Sequence, residues 1–408
     1  MGWQRTASSA VSILAPMQRI AICVLFSASA AAAQAISAQS VWVLQDSGTT
    51  AGLRGIDSVD GKVAWASGTG GTVLRTLDGG AHWSKCATPD VNNDGGTLDF
   101  RGIQMWDAQT AVVMASGSGK ASRLYKTTDG CSSWRLLFAN PDSPGGFFDS
   151  FWFNGSQGML VGDPVRGKMA VFLTRDYGKE WKRDEHPGLA VQGSTQAVFA
   201  ASNTAIPIGN RLFARAFAAG GTAGAMFFNR PFQAGEELKG IVDKVVRKEP
   251  PWKTGKMPLR GGTESSGAFS VAYQYPITEG GCGACAFSDY SMFVAVGGDY
   301  ASPNESSGTA AWSADGGFTW TAAAKPPHGY RSGVAWSAQF KAWIAVGANG
   351  SDISRDQGQT WQPLDDGSWN AVSLPFVVGP KGRIARLNAS AIPPPRKAGV
   401  TKSAAGAP

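Results

Sequence analysis

The sequence predicts an all-β fold, a seven-bladed β-propeller whose ring is closed by an N-terminal strand. Three observations predict it: a turn motif that recurs five times, a strand opening that recurs seven times, and a composition rich in glycine and large aromatics. Among the 408 residues there are 53 Gly, 15 Trp and 20 Phe, whereas only 16% are charged. This mixture is typical of many short strands joined by tight turns.

The repeated turn motif reads Ser/Thr-x-Asp-x-Gly-x-x-Trp, with Cys in place of Gly in the second copy. The Asp carboxylate can accept backbone N–H bonds within its own turn, and Gly tolerates the positive φ that closes a hairpin. The Trp then leaves the turn on a strand, and we expect it to pack between neighbouring sheets. We therefore predict a structural role for the Asp and Trp of each copy: Asp78 and Trp83, Asp129 and Trp134, Asp176 and Trp181, Asp315 and Trp320, and Asp356 and Trp361.

The number of blades follows from the strand openings. The five aspartates are 51, 47, 139 and 41 residues apart, and the long gap would by itself suggest two further blades. A second marker, an apolar or small residue, a polar residue and then an apolar strand, recurs at spacings of 47, 48, 47, 74, 61 and 39 residues. We therefore predict seven blades, with a degenerate fourth blade at residues 227–230 and an insertion in it at residues 236–262.

The polar residues of these openings are the candidate binding residues, because the first strand of a propeller blade lines the central channel. We predict that they form a ring at the channel mouth that binds a partner; the alternative is that they only line a water-filled channel. Three arginines there would favour a carboxylate, such as the acidic C-terminus of a partner. Asp163 and Asp299 are secondary candidates at the rim, with turn capping as the alternative. The ring comprises Arg54, Arg101, Asp149, Gln196, Ser270, Arg331 and Asn370.

The N-terminal segment, residues 1–38, reads as an upstream extension followed by a signal peptide. Arg19 precedes an apolar run at residues 20–26 and a small-residue segment with Ala-x-Ala cleavage options. An uncleaved interfacial helix is the alternative, but the run is too short for a transmembrane anchor. We therefore expect a periplasmic or extracellular protein without such an anchor.

The remaining chain divides into a propeller at residues 39–390 and a Pro/Ala/Gly-rich tail at residues 391–408 that we expect to be disordered. An isolated apolar strand at residues 41–44 precedes the first blade, and the last blade has room for only about three strands of its own. We expect the isolated strand to complete that blade, because ring closure removes exposed sheet edges.

Export permits disulfides among the four cysteines that follow the signal peptide. Three pairings are possible and the sequence does not select one. The Cys-x-x-Cys pair lies in a Gly-rich loop and not before a helix, which favours a local bridge over a redox motif. Zinc is not expected, because a second ligand pair at metal spacing is missing. The candidates are Cys86, Cys131, Cys282 and Cys285.

The sequence contains no complete catalytic constellation, so we expect neither a metal nor a cofactor. His82, His186 and His328 lie in or beside turns without metal-ligand spacing. The glycines of residues 68–71 lie between two strands and no helix follows, which excludes a dinucleotide fingerprint. Removal of residues 1–38 takes 2 of the 37 basic residues and none of the 30 acidic ones, leaving a charge of +5. This small surplus without a basic stripe argues against a nucleic-acid partner.

The repeats resemble bacterial neuraminidase (Asp-box) repeats, and longer phrases resemble the photosystem II stability/assembly factor-like propellers. Those phrases are residues 47–56, 123–130, 296–300 and 329–333, and the resemblance covers roughly residues 40 to 390. It implies a seven-bladed, non-catalytic propeller that binds or assembles other proteins. We therefore expect a monomeric assembly or stability factor for an envelope or membrane protein.

Asp boxes also occur in sialidases, so the alternative function is a sialidase-like or other glycoside hydrolase. The resemblance to sialidases implies a site in which three arginines bind the substrate carboxylate, beside a Tyr–Glu nucleophile pair and an acidic proton donor. Arg54, Arg101 and Arg331 would supply the arginines, but no convincing Tyr–Glu pair is evident in the sequence. The Asp-box aspartates lie in separate turns and cannot serve as the paired carboxylates of a glycosidase.

Overall fold

The computed structural model describes residues 40–90, 93–207, 215–221, 224–229, 251–274 and 292–394. In these ranges the chain forms seven antiparallel sheets, six with four strands and one with three. The prediction of a seven-bladed propeller is thereby confirmed. The predicted signal peptide and the Cys282–Cys285 pair lie outside the described residues.

In a regular blade the four strands follow one another from the channel outward, the first innermost and the fourth outermost. The first strand of the chain, β1, is Trp42–Gln45. Blade one comprises β2 Leu53–Ser58, β3 Ala64–Gly68, β4 Thr72–Thr76 and β5 Ser84–Lys85; blade two β6 Phe100–Met105, β7 Ala111–Ala115, β8 Arg123–Thr127 and β9 Arg135–Ala139; and blade three β10 Phe148–Asn154, β11 Gln157–Val165, β12 Lys168–Thr174 and β13 Lys182–Arg183.

The other four blades follow the same plan, except that blade four has three strands among the residues that the structure describes. It comprises β14 Arg215–Ala219, β15 Ala225–Asn229 and β16 Lys253–Lys256. Blade five comprises β17 Ser266–Gln274, β18 Met292–Asp299, β19 Ala310–Ser313 and β20 Thr321–Ala322; blade six β21 Gly333–Ser337, β22 Ala342–Gly347, β23 Gly350–Ser354 and β24 Gln362–Asp365; and blade seven β25 Ala371–Ser373, β26 Phe376–Val378 and β27 Ile384–Leu387.

The N-terminal strand closes the ring, as the sequence predicted. Strand β1 pairs antiparallel with β27, so that Trp42 lies opposite Leu387 and Gln45 opposite Ile384. It thereby becomes the fourth strand of blade seven. The chain then continues beyond the strand: Ile392 is 8% exposed and packs against the blade six–seven core. The described residues 391–394 therefore extend the ordered fold into the predicted tail.

The core consists of seven apolar clusters, each between two neighbouring blades. Strand β7 shows why, because it is buried along its whole length. Its Val113 packs with Trp65 of blade one, whereas Met114 packs with Leu160 of blade three. Successive side chains of a strand point to opposite faces of the sheet. Each blade is therefore held by apolar contacts on both faces, which explains the continuous apolar strands in the sequence.

The five repeat turns share one hydrogen-bond pattern. In the first copy Asp78 Oδ1 accepts from the Thr76 hydroxyl at 2.8 Å and from the backbone N–H of His82 at 3.0 Å. Asp129, Asp176, Asp315 and Asp356 bond their own turns in the same way. These turns follow the third strands, at the face opposite to the one where the first strands begin. Their aspartates are therefore occupied locally and are far from sharing one cleft.

The tryptophans that leave these turns pack between blades. Trp361 is fully buried and the other four are half-buried. Trp134 lies edge-on to Trp65 of blade one, with ring centroids 6.4 Å apart. Trp83 lies edge-on to Phe376 of blade seven at 5.8 Å. Each ring thus fills the gap toward the preceding blade, which is the structural role assigned from the sequence.

Two blades without the turn motif nevertheless keep its tryptophan. Trp252 immediately precedes β16, packs with Val171 of blade three and donates its indole N–H to Asp184 at 3.0 Å. Trp42 begins β1 and donates to Ser351 of blade six at 2.9 Å. Because β16 lies within the predicted insertion at residues 236–262, that part of the segment belongs to the sheet. Residues 236–250 lie outside the described residues.

A disulfide joins Cys86, just after the last strand of blade one, to Cys131 in the repeat turn of blade two. The structure thus shows a Cys86–Cys131 bond, whose partners the sequence left open. Cys131 adopts φ of 68°. The other four repeat turns have Gly at this position, at φ between 81° and 88°. The backbone of the turn is therefore the same in all five copies, although only Gly adopts it at no steric cost.

Candidate ligand pocket at the channel mouth

A β-bulge at the start of the first strand sets the geometry of the mouth. Register shifts in blades one, two, three and five single out Arg54, Arg101, Asp149 and Phe269 as the bulged residues. A bulge leaves one residue unpaired and redirects its side chain. These four side chains therefore occupy equivalent positions in their blades, and the bulge turns them away from the packing between blades.

The equivalent residues of the other blades follow from backbone contacts. Leu53, Arg331 and Trp369 each donate their N–H to the carbonyl of a glycine in the preceding blade. The next residue in each case, Arg54, Ser332 and Asn370, is therefore the equivalent one. In blade four Gly221 lies close to the carbonyl of Thr195, as Gly68 of blade one lies close to the carbonyl of Gly52. Because Arg54 comes two residues after Gly52, the equivalent residue of blade four is Ala197, two residues after Thr195. All seven bulge-position residues line one pocket of about 590 Å³: Arg54, Arg101, Asp149, Ala197, Phe269, Ser332 and Asn370.

Three residues of the ring predicted from the sequence lie one position away from this pocket. Gln196 is 2% exposed, and Ser270 and Arg331 are 0% exposed. The pocket lining contains their neighbours Ala197, Phe269 and Ser332 instead. A shift of one residue along a strand moves a side chain to the other face. The sequence marker of a polar residue after an apolar one selected the wrong residue in these three blades, because the bulge leaves no mark in residue type.

Arg331 is held inside blade six. Its Nε donates to Asp352 Oδ2 at 2.7 Å, and Nη1 donates to Asn349 Oδ1 at 2.6 Å. Burial lowers the pKa of the guanidinium, while the charge of Asp352 opposes that shift. Removal of one partner from such a buried pair leaves an uncompensated charge. Arg331 is therefore engaged in an ion pair inside the blade, and the predicted cluster of three arginines at the mouth consists of two.

Ser270 and Asn370 join neighbouring blades. The Ser270 hydroxyl accepts from the backbone N–H of Val334 in blade six at 3.0 Å. The Asn370 amide donates to the carbonyl of Leu53 in blade one at 2.7 Å. Asn370 also lines the pocket. Part of the predicted polar ring therefore consists of contacts that hold the first strands together.

The two arginines of the pocket share one carboxylate. Arg101 Nε donates to Asp99 Oδ2 at 2.8 Å, and Arg54 Nε lies 3.4 Å from Asp99 Oδ1. The arginine side chains are 31% and 34% exposed. Two guanidinium groups around one carboxylate leave a positive surplus, which favours an anionic group of a ligand.

Two further carboxyl groups line the same pocket. Burial, and to a lesser degree the neighbouring Asp163, raises the pKa of Asp149 well above its ordinary value; Arg101 and two backbone N–H groups act in the opposite direction. Burial raises the pKa of Asp163 to about 6. Asp299, the second rim candidate, is 5% exposed and accepts from the N–H of Ala301 at 2.9 Å, which caps its own turn.

Aromatic rings form the opposite wall of the pocket. Phe199 stacks on Phe269 with centroids 3.9 Å apart, and Tyr300 stands edge-on to Phe269 at 6.1 Å. Tyr330 approaches Phe269 edge-on at 4.8 Å. The Tyr300 side chain is 54% exposed. Phe199 and Tyr300 were not predicted as site residues, because blade position, which only the folded ring reveals, brings them beside Phe269.

The pocket is thus amphipathic: blades one to three supply two arginines and two aspartates, the segment before blade five supplies Glu264, and the segments around blades four to six supply aromatic groups. Within the described ranges, no three His, Cys, Asp or Glu side chains are grouped so as to hold a metal ion. The same ranges contain no helix with the length and apolarity needed to cross a membrane. The arrangement suits non-covalent binding of a ligand with both charged and apolar parts.

The fold and the pocket define a seven-bladed propeller with an amphipathic ligand pocket at its channel mouth. No family model and no curated protein matches the chain. The similar solved structures include two of YCF48. YCF48 bound to a D1 peptide shares 16% identity over 85% of this chain and 97% of that chain, at a TM-score of 0.53. YCF48 from Cyanidioschyzon merolae shares 15% identity over 86% and 100%, at a TM-score of 0.50. The chain therefore has the YCF48 fold, and the resemblance to assembly factor-like propellers is confirmed at that level.

Proposed function

We propose that this propeller is an assembly or stability factor that binds an extended segment of another protein in the channel-mouth pocket. One observation carries the proposal: all seven equivalent positions of the ring line a single pocket with a charged and an aromatic half. Buried aromatic and arginine side chains are the groups that dominate binding energy at protein interfaces. A pocket of about 590 Å³ has the size of a small-ligand or short-peptide site.

The similar YCF48 structure contains a D1 peptide, which supports a peptide as the ligand here. The partner we propose is an envelope or membrane protein that a monomeric, exported propeller meets outside the cytoplasm. The positive surplus of Arg54 and Arg101 supports an acidic C-terminus as one part of the bound segment.

The experiment is site-specific photo-crosslinking in the native host. A photoreactive phenylalanine analogue replaces Tyr300 in the pocket or, as the control, Tyr177 in the repeat turn of blade three on the opposite face. The two tyrosines are matched in exposure, at 54% and 55%. We expect the Tyr300 position to crosslink one defined protein, identified by mass spectrometry, and the Tyr177 position not to.

The yield of the crosslinked product should also fall when Arg101→Ala is combined with the Tyr300 probe, because Arg101 belongs to the charged half of the pocket. Crosslinking that is equal at both positions, or unaffected by Arg101→Ala, would contradict a binding site at the mouth.

A second candidate function, glycoside hydrolysis, is favoured by one specific observation. The pocket contains the carboxyl pair Asp149 and Asp163, together with Tyr300 and Glu264. Paired carboxyls with a raised pKa are typical of glycosidases. Against it, one of the three arginines required by a sialidase-like site, Arg331, is buried in its ion pair with Asp352. Turnover of fluorogenic sialosides or glucosides that is lost in Asp163→Asn, without any crosslinked partner, would favour the hydrolase.

A further inference from the structure

One oxygen of the buried Asp149 carboxyl is not satisfied by the protein. Asp149 is 2% exposed and lines the pocket, and its Oδ2 has no hydrogen-bond partner within the described residues. Most buried polar atoms in folded proteins are hydrogen-bonded, so an exception of this kind requires an explanation. A group supplied by a ligand is one such explanation, because the residue lines a cavity that is open to solvent.

Asp163 places a second carboxyl beside the first. It lies on β11, the strand next to Asp149 on β10, and its backbone N–H donates to Phe147 at 3.0 Å. It is half-buried in the lining of the same pocket. Two carboxylates at one site disfavour ionisation of each other, whereas a cation between them favours it.

The protein itself supplies only part of the positive charge that would favour ionisation of both carboxyls. The Nε–H of Arg101 is donated to Asp99, and Arg54 also lies against Asp99. The other ionisable groups in the lining are Glu264, which is acidic, and the two tyrosines. Across the pocket stand the stacked Phe199 and the exposed Tyr300. An aromatic face adds cation–π attraction to a nearby ammonium or guanidinium.

We propose that Asp149 and Asp163 form a subsite for a basic side chain, lysine or arginine, of the segment bound in the mouth. This inference rests on the proposed function, since it assumes that the pocket binds a peptide segment. It adds a property of the partner: the segment carries a positive side chain on the blade-three side of the pocket. The carboxyl pair accepts hydrogen bonds from that side chain, and the aromatic wall covers its aliphatic stem.

The test uses two small probes and the whole purified propeller. N-acetyl-lysine methylamide and N-acetyl-norleucine methylamide have similar stems and differ in the ammonium group. Protein-observed NMR titration at neutral pH measures both dissociation constants. We expect the lysine probe to bind about tenfold more tightly than the norleucine probe, as one charge-assisted contact of about 1.4 kcal/mol would give.

The variants separate this subsite from general binding in the pocket. Asp149→Asn/Asp163→Asn should reduce the affinity for the lysine probe to that for norleucine, and Asp163→Asn alone should remove part of the preference. Asp299→Asn, which replaces a similarly buried aspartate that caps its own turn, should leave the preference unchanged. Thermal unfolding of each variant shows that the ring is intact.

Equal affinity for the two probes, binding of neither at millimolar concentration, or a preference that survives the double substitution would overturn the proposal. The result is independent of the crosslinking experiment. A crosslinked partner without a lysine preference retains the proposed function and rejects the basic subsite. A lysine preference without a crosslinked partner retains the subsite for a basic side chain and rejects the proposed binding of a partner protein.

Discussion

At the scale of single residues, the carboxyl groups of the mouth are where the chain departs from what stability alone would select. A buried carboxyl with an oxygen that has no hydrogen-bond partner costs free energy unless it is neutral or paired. Perturbed carboxyls in a cleft are for this reason candidates for functional groups. The aspartates of the repeat turns show the contrast, as in the exposed Asp129: bonds from the hydroxyl and N–H of Ser133 and from Thr127 lower its pKa to about 2.

This contrast predicts the effect of neutralising Asp163. Its pKa in the folded protein, about 6, lies above the ordinary value of 3.8, so between these values the folded state binds more protons than the unfolded one. Stability therefore falls as the pH rises from about 4 to about 6. Asp163→Asn should raise the free energy of unfolding at pH 7 by about 1–2 kcal/mol, after a discount for partial exposure.

Urea unfolding at pH 7 and at pH 4 measures this effect. The gain should be present at pH 7 and absent near pH 4, where the carboxyl is protonated in the folded state. Asp60→Asn is the control, because backbone N–H bonds lower the pKa of Asp60 and its neutralisation should give no gain. A loss of stability in Asp163→Asn at pH 7 would show that this carboxylate is already satisfied.

At the scale of elements, the repeat turn of blade two combines a disulfide with a backbone conformation that suits glycine. Cys86 and Cys131 are 45 residues apart in sequence. In the chain-entropy model a loop of this length stabilises the folded state by about 4 kcal/mol. The left-handed conformation of Cys131 costs about 1–2 kcal/mol of that.

We therefore expect Cys86→Ala/Cys131→Ala to lower the free energy of unfolding by up to about 4 kcal/mol. Cys86→Ala/Cys131→Gly should recover about 1 kcal/mol of the loss, because it restores the glycine of the other turns. Chemical unfolding of both variants and of the reduced wild type provides the comparison. Equal stability of the Ala and Gly variants would mean that the backbone of the turn relaxes when the bond is absent.

The elements also show which features a sequence can reveal. The repeat turns were visible because Asp, Gly and Trp each perform a local task at fixed spacing. The tryptophan of blade four, Trp252, was missed because the chain between Asn229 and Trp252 is longer than in the other turns. The bulges of the first strands were missed as well, since a bulge is a property of strand pairing. Four of the seven mouth residues were therefore predicted, and three were displaced by one position.

At the scale of the whole molecule, the seven blades and their closure could be predicted because the same unit recurs along the chain. The aromatic wall could not, because Phe199, Phe269 and Tyr300 meet only after blades four and five are neighbours. The stability of such a ring depends on every interblade core, and the core between blades six and seven includes Trp42 of the closing strand.

Trp42→Ala should therefore lower the free energy of unfolding by about 3–5 kcal/mol, the usual cost of a buried tryptophan. Val43→Ala on the same strand is the control, because Val43 is 51% exposed, and it should change stability by less than about 0.5 kcal/mol. Thermal unfolding followed by tryptophan fluorescence and circular dichroism measures both. Similar effects of the two substitutions would show that β1 contributes little to closure.

The pairing of β1 with β27 also determines when the ring can close during synthesis of the protein. Strand β1, which is synthesised before every blade, supplies the outermost strand of the blade that is made last, since Trp42 lies opposite Leu387. A nascent chain that stops anywhere before β27 has an unmatched edge at each end, open to proteases and to pairing with other chains. Only a chain that includes β27 can close the ring, so closure distinguishes molecules with all seven blades from shorter ones.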